Sequence, residues 1–311
     1  MAQKPRNIMK SLRVKDFLQI DGLVTGNGIM PGAKDKIWYV WEKKDSAKTG
    51  SGHNWDDAFL TLGEAITAAG DNDYILVGPG SYDEGDSITI TQDYLTIIGT
   101  NSNNNMHEAY VYGSSATKDL LIVKGDKLRV YNLAFNQTKA KACVVFGDTD
   151  GQAFYQALFD GCKFEGNGTG TYGFLSGGTL AAAGNVDAPD ITIRNCHFRG
   201  LATAAIQMNW TRAKVYDNTF ICDAGSIAIE YLPTSGNRPD SMIYDNKILG
   251  VNSTDTGIKI TNSPSAGLYF IAGNLIANTA TTITGKATND AVCILNYTGD
   301  ASGGALIDPS P

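Results

Sequence analysis

Two aspartates stand in matching contexts 28 residues apart, Val215-Tyr216-Asp217-Asn218 and Ile243-Tyr244-Asp245-Asn246. Carboxylates held one repeat apart, about 4.8 Å in a stacked sheet, either share a proton or hold a cation. The alternative, preferred here, is an Asx ladder in which each side chain satisfies backbone N–H groups at the same turn of successive repeats. Arg194 and Arg199 flank His197, and Arg212 follows, one local basic patch able to abstract a proton or bind an anion. Glu230 falls on a separate alternating run, in a row with Asn209 and Thr261, and reads as a lone solvated acid. Were the chain an enzyme, Asp217, Asp245, Arg194, Arg199 and Glu230 would be its candidates, although no catalytic assignment is preferred. Tyr131, Tyr216 and Tyr244 are candidates for a carbohydrate platform, or for packing under a neighbouring subunit. His53, His107 and His197 lie on different elements, which gives no metal-site spacing, and there is no GxSxG elbow, P-loop or HExxH.

These residues sit on a repeat. Val130–Phe135, Leu158–Phe164, Ile193–Phe198, Val215–Phe220, Ile243–Ile248 and Ile271–Ile276 overlay one another, and their last apolar residues are 29, 34, 22, 28 and 28 positions apart. The overlay predicts one row of Tyr131, Phe159, Arg194, Tyr216 and Tyr244 and a second of Asn132, Asp160, Asn195, Asp217 and Asp245. Each anchor is followed by a run of period two, such as Val144-Val145-Phe146, Ile206-Gln207-Met208 and Ile258-Lys259-Ile260, the signature of a strand with one buried face. Two or three short strands per repeat cannot bury a core alone; stacked as coils they can. Leucine-rich repeats lack their Leu ladder here, and blades of four strands do not fit 22–29 residues. The expected fold is all-β, a parallel β-helix solenoid of roughly eight or nine coils, about 40 Å long.

Composition agrees. Gly contributes 35 of 311 residues and charged residues only 18%, which favours many turns over long helices with charged faces. No apolar run is long enough for a membrane span. The net charge of −7 divides unevenly. Residues 1–50 hold ten bases and five acids, and the remainder is at −12. Lys4, Arg6, Lys10, Arg13 and Lys15 precede any acid, and with Phe17 and Leu18 they read as a partner-docking arm. Nucleic acid is a poor partner for it, with Phe17 alone for stacking and no reading module. The basic residues interrupt any secretory signal core, so synthesis in the cytoplasm is expected. Cys143, Cys162, Cys196, Cys222 and Cys293 are odd in number without a CxxC pair, and read as buried hydrophobes of a reduced protein.

A solenoid needs closed ends. Asn54 can cap a helix over residues 54–69, with Asp56 and Asp57 in its first turn and Trp55, Ala58, Phe59, Leu62, Ala65, Ile66 and Ala69 on one stripe. The predicted layout is a docking arm at 1–50, a cap at 51–86, the β-helix at 87–298 and a tail at 299–311.

The string Asn54-Trp55-Asp56-Asp57-Ala58-Phe59 through Pro79-Gly80-Ser81-Tyr82, with the later Asp-Asn-x-Phe repeats, resembles the right-handed parallel β-helix (pectate-lyase-like) superfamily over about residues 37–290. That resemblance implies a right-handed solenoid with an N-terminal capping helix. For lyases it implies calcium-binding acids and a basic proton acceptor; for hydrolases, close carboxylates; for phage surface members, trimers. The fold alone does not choose among them. The function expected from sequence is a virion structural protein of the capsid-decoration or head-fibre type, homo-oligomeric with a trimer favoured, and attached to other virion proteins by its arm. No cofactor is expected outside the lyase case. The alternatives are a polysaccharide lyase or glycoside hydrolase and a non-catalytic carbohydrate adhesin.

Overall fold

The computed structural model describes residues 36–42, 50–100, 109–147, 155–176, 190–208, 211–231, 240–251, 254–260, 269–284, 291–299 and 305–307. Within them the chain winds through three sheets, one strand of each per coil. Sheet 1 has ten parallel strands from Ile37–Val40 to Ala291–Ile294. Sheet 2 has ten: nine parallel strands from Gly80–Glu84 to Asn296–Gly299 and an antiparallel closing strand, Ala305–Ile307. Sheet 3 has eight, from Ile88–Ile90 to Thr281–Thr284. At about 4.8 Å per strand the stack is about 45 Å long. A typical coil is Thr192–Arg194, His197–Arg199 and Ala204–Met208, in sheets 1, 2 and 3.

Alternation of side chains sends one row of each sheet inward. Val130, Phe159, Ile193, Val215, Ile243, Ile271 and Cys293 line up along sheet 1, and all are buried. Sheet 2 contributes Phe135, Phe164, Phe198 and Phe220, whose rings stack coil on coil at 5.4, 5.0 and 4.7 Å, before Ile248 and Ile276 continue the row. Sheet 3 adds Val144, Phe174, Ile206, Ile229, Ile258 and Ile283. A ladder of identical side chains spares each coil from solving its own packing problem.

The corner between sheets 1 and 2 is a tight turn with two fixed positions. The first needs a left-handed backbone: Asn132, Gly161, Asn195, Asp217, Asp245 and Gly273 have φ between 53 and 65°. At Gly273 a Cβ would sit 2.3 Å from the tip of the Asp245 side chain in the coil before it, so any other residue must both hold the left-handed φ and turn that carboxylate aside. The second position points inward. Cys162, Cys196, Asn218, Asn246, Asn274 and Asn296 occupy it, buried. Each asparagine donates to the inner-row carbonyl of the coil before, and the two thiols reach the equivalent carbonyls, Cys162 to Val130 and Cys196 to Phe159, at 3.6 and 3.7 Å. Burial pushes the Cys196 thiol pKa upward, and a buried neutral thiol is an inert member of the ladder.

The N-terminal cap differs from the single helix predicted over 54–69. A 3₁₀ turn, Trp55–Asp57, is capped by Asn54, and the α-helix spans Leu62–Ala68 only. Phe59 between them is extended: its N–H donates to Tyr39 and its carbonyl accepts from Trp41, both at 2.8 Å. Strand pairing thus claims the middle of the predicted helix, and Thr61 with Glu64 forms a capping box that starts a new one. The Glu84 carboxylate accepts from the N–H groups of Leu62 and Gly63 and fixes this helix over the first coil. The solenoid also begins at Ile37–Val40, inside the stretch assigned to the arm. Lys4, Arg6, Lys10, Arg13, Lys15, Phe17 and Leu18, together with tail residues 300–304 and 308–311, lie outside the described residues.

Candidate functional site

The candidate residues fall on three different outer faces. On sheet 1, strand register aligns Tyr131, Asp160, Arg194, Tyr216 and Tyr244. Phe159, predicted in this row, is instead inward and fully buried. This coil has the same length as its neighbours, five positions from Phe159 to its anchor Phe164 as from Val130 to Phe135, but the overlay starts it one residue early, at the apolar Leu158, and so slips by one. Asp160 therefore joins the outer row, and Gly161 takes the turn position.

Arg194 links this row. It donates to Asp160 at 2.7 and 2.9 Å and to the Tyr216 hydroxyl at 3.0 Å, while Asn195 donates to the other Asp160 oxygen at 2.8 Å. Tyr216 and Tyr244 lie face to face at 4.7 Å with planes 5° apart, so each covers one ring face of the other. Tyr131, at the far end, packs on the apolar cluster of Tyr39, Ala58, Leu76 and Ile98 under Trp41 and Trp55.

Asp217 and Asp245 are at the left-handed turn position, exposed and one coil apart. The buried ladder belongs to the residue after each, Asn218 and Asn246. Among the described residues no three His, Cys, Asp or Glu side chains come together to hold a metal ion.

Glu230 is on the outer face of sheet 3. Its register partners are Gln207 and Lys259, two positions from the predicted Asn209 and Thr261, which lie outside the described residues. Nor is it solvated: it is 6% exposed, and accepts from Gln207 and from the Lys259 ammonium, each at 2.7 Å. Burial of a carboxylate demands such partners.

Arg199 stands apart from Arg194. The turn after Arg194 places the two on different sheets, and Arg212 pairs with Asp190 at 2.8 Å, so the predicted basic patch is divided. Arg199 faces outward from sheet 2 and aligns with Glu165 in the coil before and Ile221 in the coil after. Beyond these strands, turns at Asn167, Gly168 and Gly200 and the side chain of Asp223 complete a polar cleft of about 460 Å3. Glu165 is held at its wall by Lys163 at 2.6 Å and by the Tyr110 hydroxyl at 3.3 Å. Neither the Arg199 guanidinium nor the Asp223 carboxylate has a hydrogen-bond or ion-pair partner among the described residues. His197 is half-buried beside Lys163 and Arg199, and burial with these cations holds its pKa below the usual imidazole value. Sequence reasoning singled out Arg199 but missed Glu165, which stands at the same place directly after its anchor and could have been found by extending the overlay one residue; Asn167 and Asp223 lie on connections that differ in length from coil to coil.

No known family model matches the sequence, and no curated protein matches it. Solved structures do. The pectin methylesterase from Aspergillus niger matches with a TM-score of 0.57 at 14% identity, covering 88% of each chain. A pectin methylesterase variant in complex with a hexasaccharide gives 0.55 at 11%, covering 86% of this chain and 91% of that one. The PL6 family alginate lyase AlyGC gives 0.55 at 10%, covering 87% of this chain and 40% of that one. This chain is a right-handed parallel β-helix. At such identities the likeness is one of fold, and the β-helix here must be judged for function by its own surface.

Proposed function

We propose that this β-helix is a polysaccharide-binding rod, a structural protein of a virion surface seated by its N-terminal arm, with its glycan site in the cleft of Glu165, Arg199 and Asp223. The unpaired guanidinium of Arg199 carries the binding half of this reading. An exposed cation opposite a free carboxylate and an amide, Asp223 and Asn167, suits a ligand rich in both donors and acceptors. A sugar chain is such a ligand: its hydroxyls donate to Asp223, and vicinal hydroxyls or a uronate carboxylate accept from both arms of Arg199. The cleft is open and lies along a rod, which accommodates a chain rather than a small molecule. The fold supports the class, since β-helices of this shape include a pectin methylesterase in complex with a hexasaccharide.

Attachment rests on charge. A +5 segment on a −12 body divides docking from display.

Titration of the full chain with neutral and uronate-containing polysaccharides tests the site. Binding is expected and is lost in Arg199→Ala and in Asp223→Ala, with folding unchanged. Equal binding by the variants overturns the assignment; release of unsaturated or reducing ends during the titration replaces a binding rod with a depolymerase. Cryo-microscopy of purified particles tests the location, and attachment surviving simultaneous replacement of Lys4, Arg6, Lys10, Arg13 and Lys15 by Glu removes the role given to the arm.

A further inference from the structure

The connections from sheet 3 back to sheet 1 make a second corner with its own left-handed position. Two residues before the paired part of each sheet 1 strand, Asn72, Tyr94, Lys127, Gln156, Asp190 and Arg212 have φ between 55 and 65°. Main-chain bonds fix this turn: the N–H groups of Asn72, Tyr94 and Lys127 donate to the carbonyls of Asp93, Asp126 and Tyr155 in the next coil, at 2.9, 2.8 and 2.6 Å. One residue earlier runs an aspartate ladder. Asp71 and Asp93 each accept the N–H of the aspartate in the following coil, and Asp126 accepts that of Tyr155.

Asparagine, aspartate or glycine suits the left-handed φ, and a bulky residue is strained there. Arg212 has a reason in the fold, since its guanidinium pairs with Asp190. Tyr94 has no such reason. Its ring is 46% exposed, and its side-chain contact among the described residues is with Lys127, whose ammonium lies 4.4 Å over the ring and donates to the hydroxyl at 2.6 Å. Lys127 holds the same strained position, and an exposed cation–π pair repays little of that strain. In the next coil, where the aspartate ladder could continue, Tyr155 stands instead. It is 45% exposed, and its side chain has no hydrogen bond or ring contact among the described residues. Strain kept at an exposed aromatic points to function rather than to folding.

We propose that Tyr94, Lys127 and Tyr155 form a second binding site, for an uncharged, equatorially linked polysaccharide. A tyrosine ring offers a flat face to the axial C–H groups of a pyranose. Tyr94 and Tyr155 are two coils apart, about 10 Å, close to the repeat of an extended chain in which every second sugar turns the same face. Asp93 and Asp126 each spend one carboxylate oxygen on the ladder and keep the other for sugar hydroxyls, while Lys127 has ammonium protons left to donate. Asp71, Asp93 and Asp126 against Lys124 and Lys127 leave the corner negative, which turns away uronates and sulfates. The cleft of Arg199 and Asp223 lies at the other edge of sheet 3. The corner shares no residue with it, so it stands or falls apart from that reading.

Isothermal titration of the full chain with cellohexaose and mannohexaose tests the site. A hexasaccharide reads one site, whereas a polymer spans both and loses avidity when either fails. The titration is run on Arg199→Ala, which silences the cleft and is expected to leave hexasaccharide binding at the corner. Adding Tyr94→Asn or Tyr155→Ala is expected to weaken that binding at least roughly tenfold. Tyr94→Asn is also expected to raise the thermal midpoint, because asparagine relaxes the left-handed turn, and loss of binding with a gain in stability separates function from folding. Absence of binding by both hexasaccharides, binding indifferent to both tyrosine variants, or hexagalacturonate bound as tightly as the neutral sugars overturns the proposal.

Discussion

One oxygen of Asn246 accepts from both the backbone N–H and the side-chain amide of Asn218, at 3.1 and 3.0 Å, and its own amide donates onward to Asn274 and to Val215. Four hydrogen bonds across three coils meet on one fully buried side chain. Asn246→Ala removes the acceptor of the buried Asn218 backbone N–H and one of the two acceptors of its side-chain amide, along with the donor to the Val215 carbonyl, and the expected loss is about 3 kcal/mol. Urea unfolding measures it; a loss under about 1 kcal/mol would show the ladder to be incidental to stability.

Gly273 and Asp245 are coupled by space. Gly273→Ala is expected to cost more than the roughly 1 kcal/mol of a left-handed alanine, because the new methyl meets the Asp245 carboxylate. Adding Asp245→Gly removes the collision but not the backbone strain, so the double variant should unfold at higher urea than Gly273→Ala alone. Equal midpoints contradict the steric account.

Glu84 gives the fold a pH dependence. Burial raises its pKa, outweighing the two backbone N–H donors that lower it. The folded chain therefore holds a proton at pH values where the unfolded chain has released it, and stability falls as pH rises from the ordinary glutamate range to the raised folded value. Glu84→Gln should flatten that fall, seen as a smaller decrease in thermal midpoint across the same window. An unchanged difference between wild type and variant over the window would rule out Glu84 as the source.

The Arg194–Asp160 pair is half open to water, with side-chain exposures of 38 and 18%. A double-mutant cycle of Arg194→Ala and Asp160→Ala should return a coupling of about 1 kcal/mol, reduced by salt. A salt-independent value above about 2 kcal/mol would mean the pair is screened far less than its exposure implies.

Sequence periodicity recovered the solenoid because the inner rows are nearly invariant in type: the Phe135–Phe220 stack and the Asp-Asn-x-Phe turn are visible without coordinates. It failed where apolar residues stand on both faces of a strand. Leu158 and Phe159 are both apolar and only the second points inward, which slipped one row, and the Glu230 row slipped by two because sheet 3 strands carry five residues with apolar types on both faces, such as Ala204–Met208. The helix at the cap was overextended because Phe59 satisfies a helical stripe and a sheet bridge equally well. The cleft was the least legible: Glu165 and Arg199 each directly follow an anchor and align in register, but Asn167 and Asp223, which complete it, lie beyond the strands where the repeat gives no fixed spacing.

The shared turn and stacked register have a consequence for the growth of such a rod. Because Asn218, Asn246 and Asn274 are interchangeable rungs, excising residues 218–245 in frame brings Asp217 directly before Asn246, with the same turn, the same inward amide and the same anchor. Length is therefore quantised: the gene can add or delete one 28-residue unit, and the last coil moves about 4.8 Å along the axis each time. The protein is in that sense a molecular ruler whose reach is set by counting repeats, with its two ends left chemically unchanged.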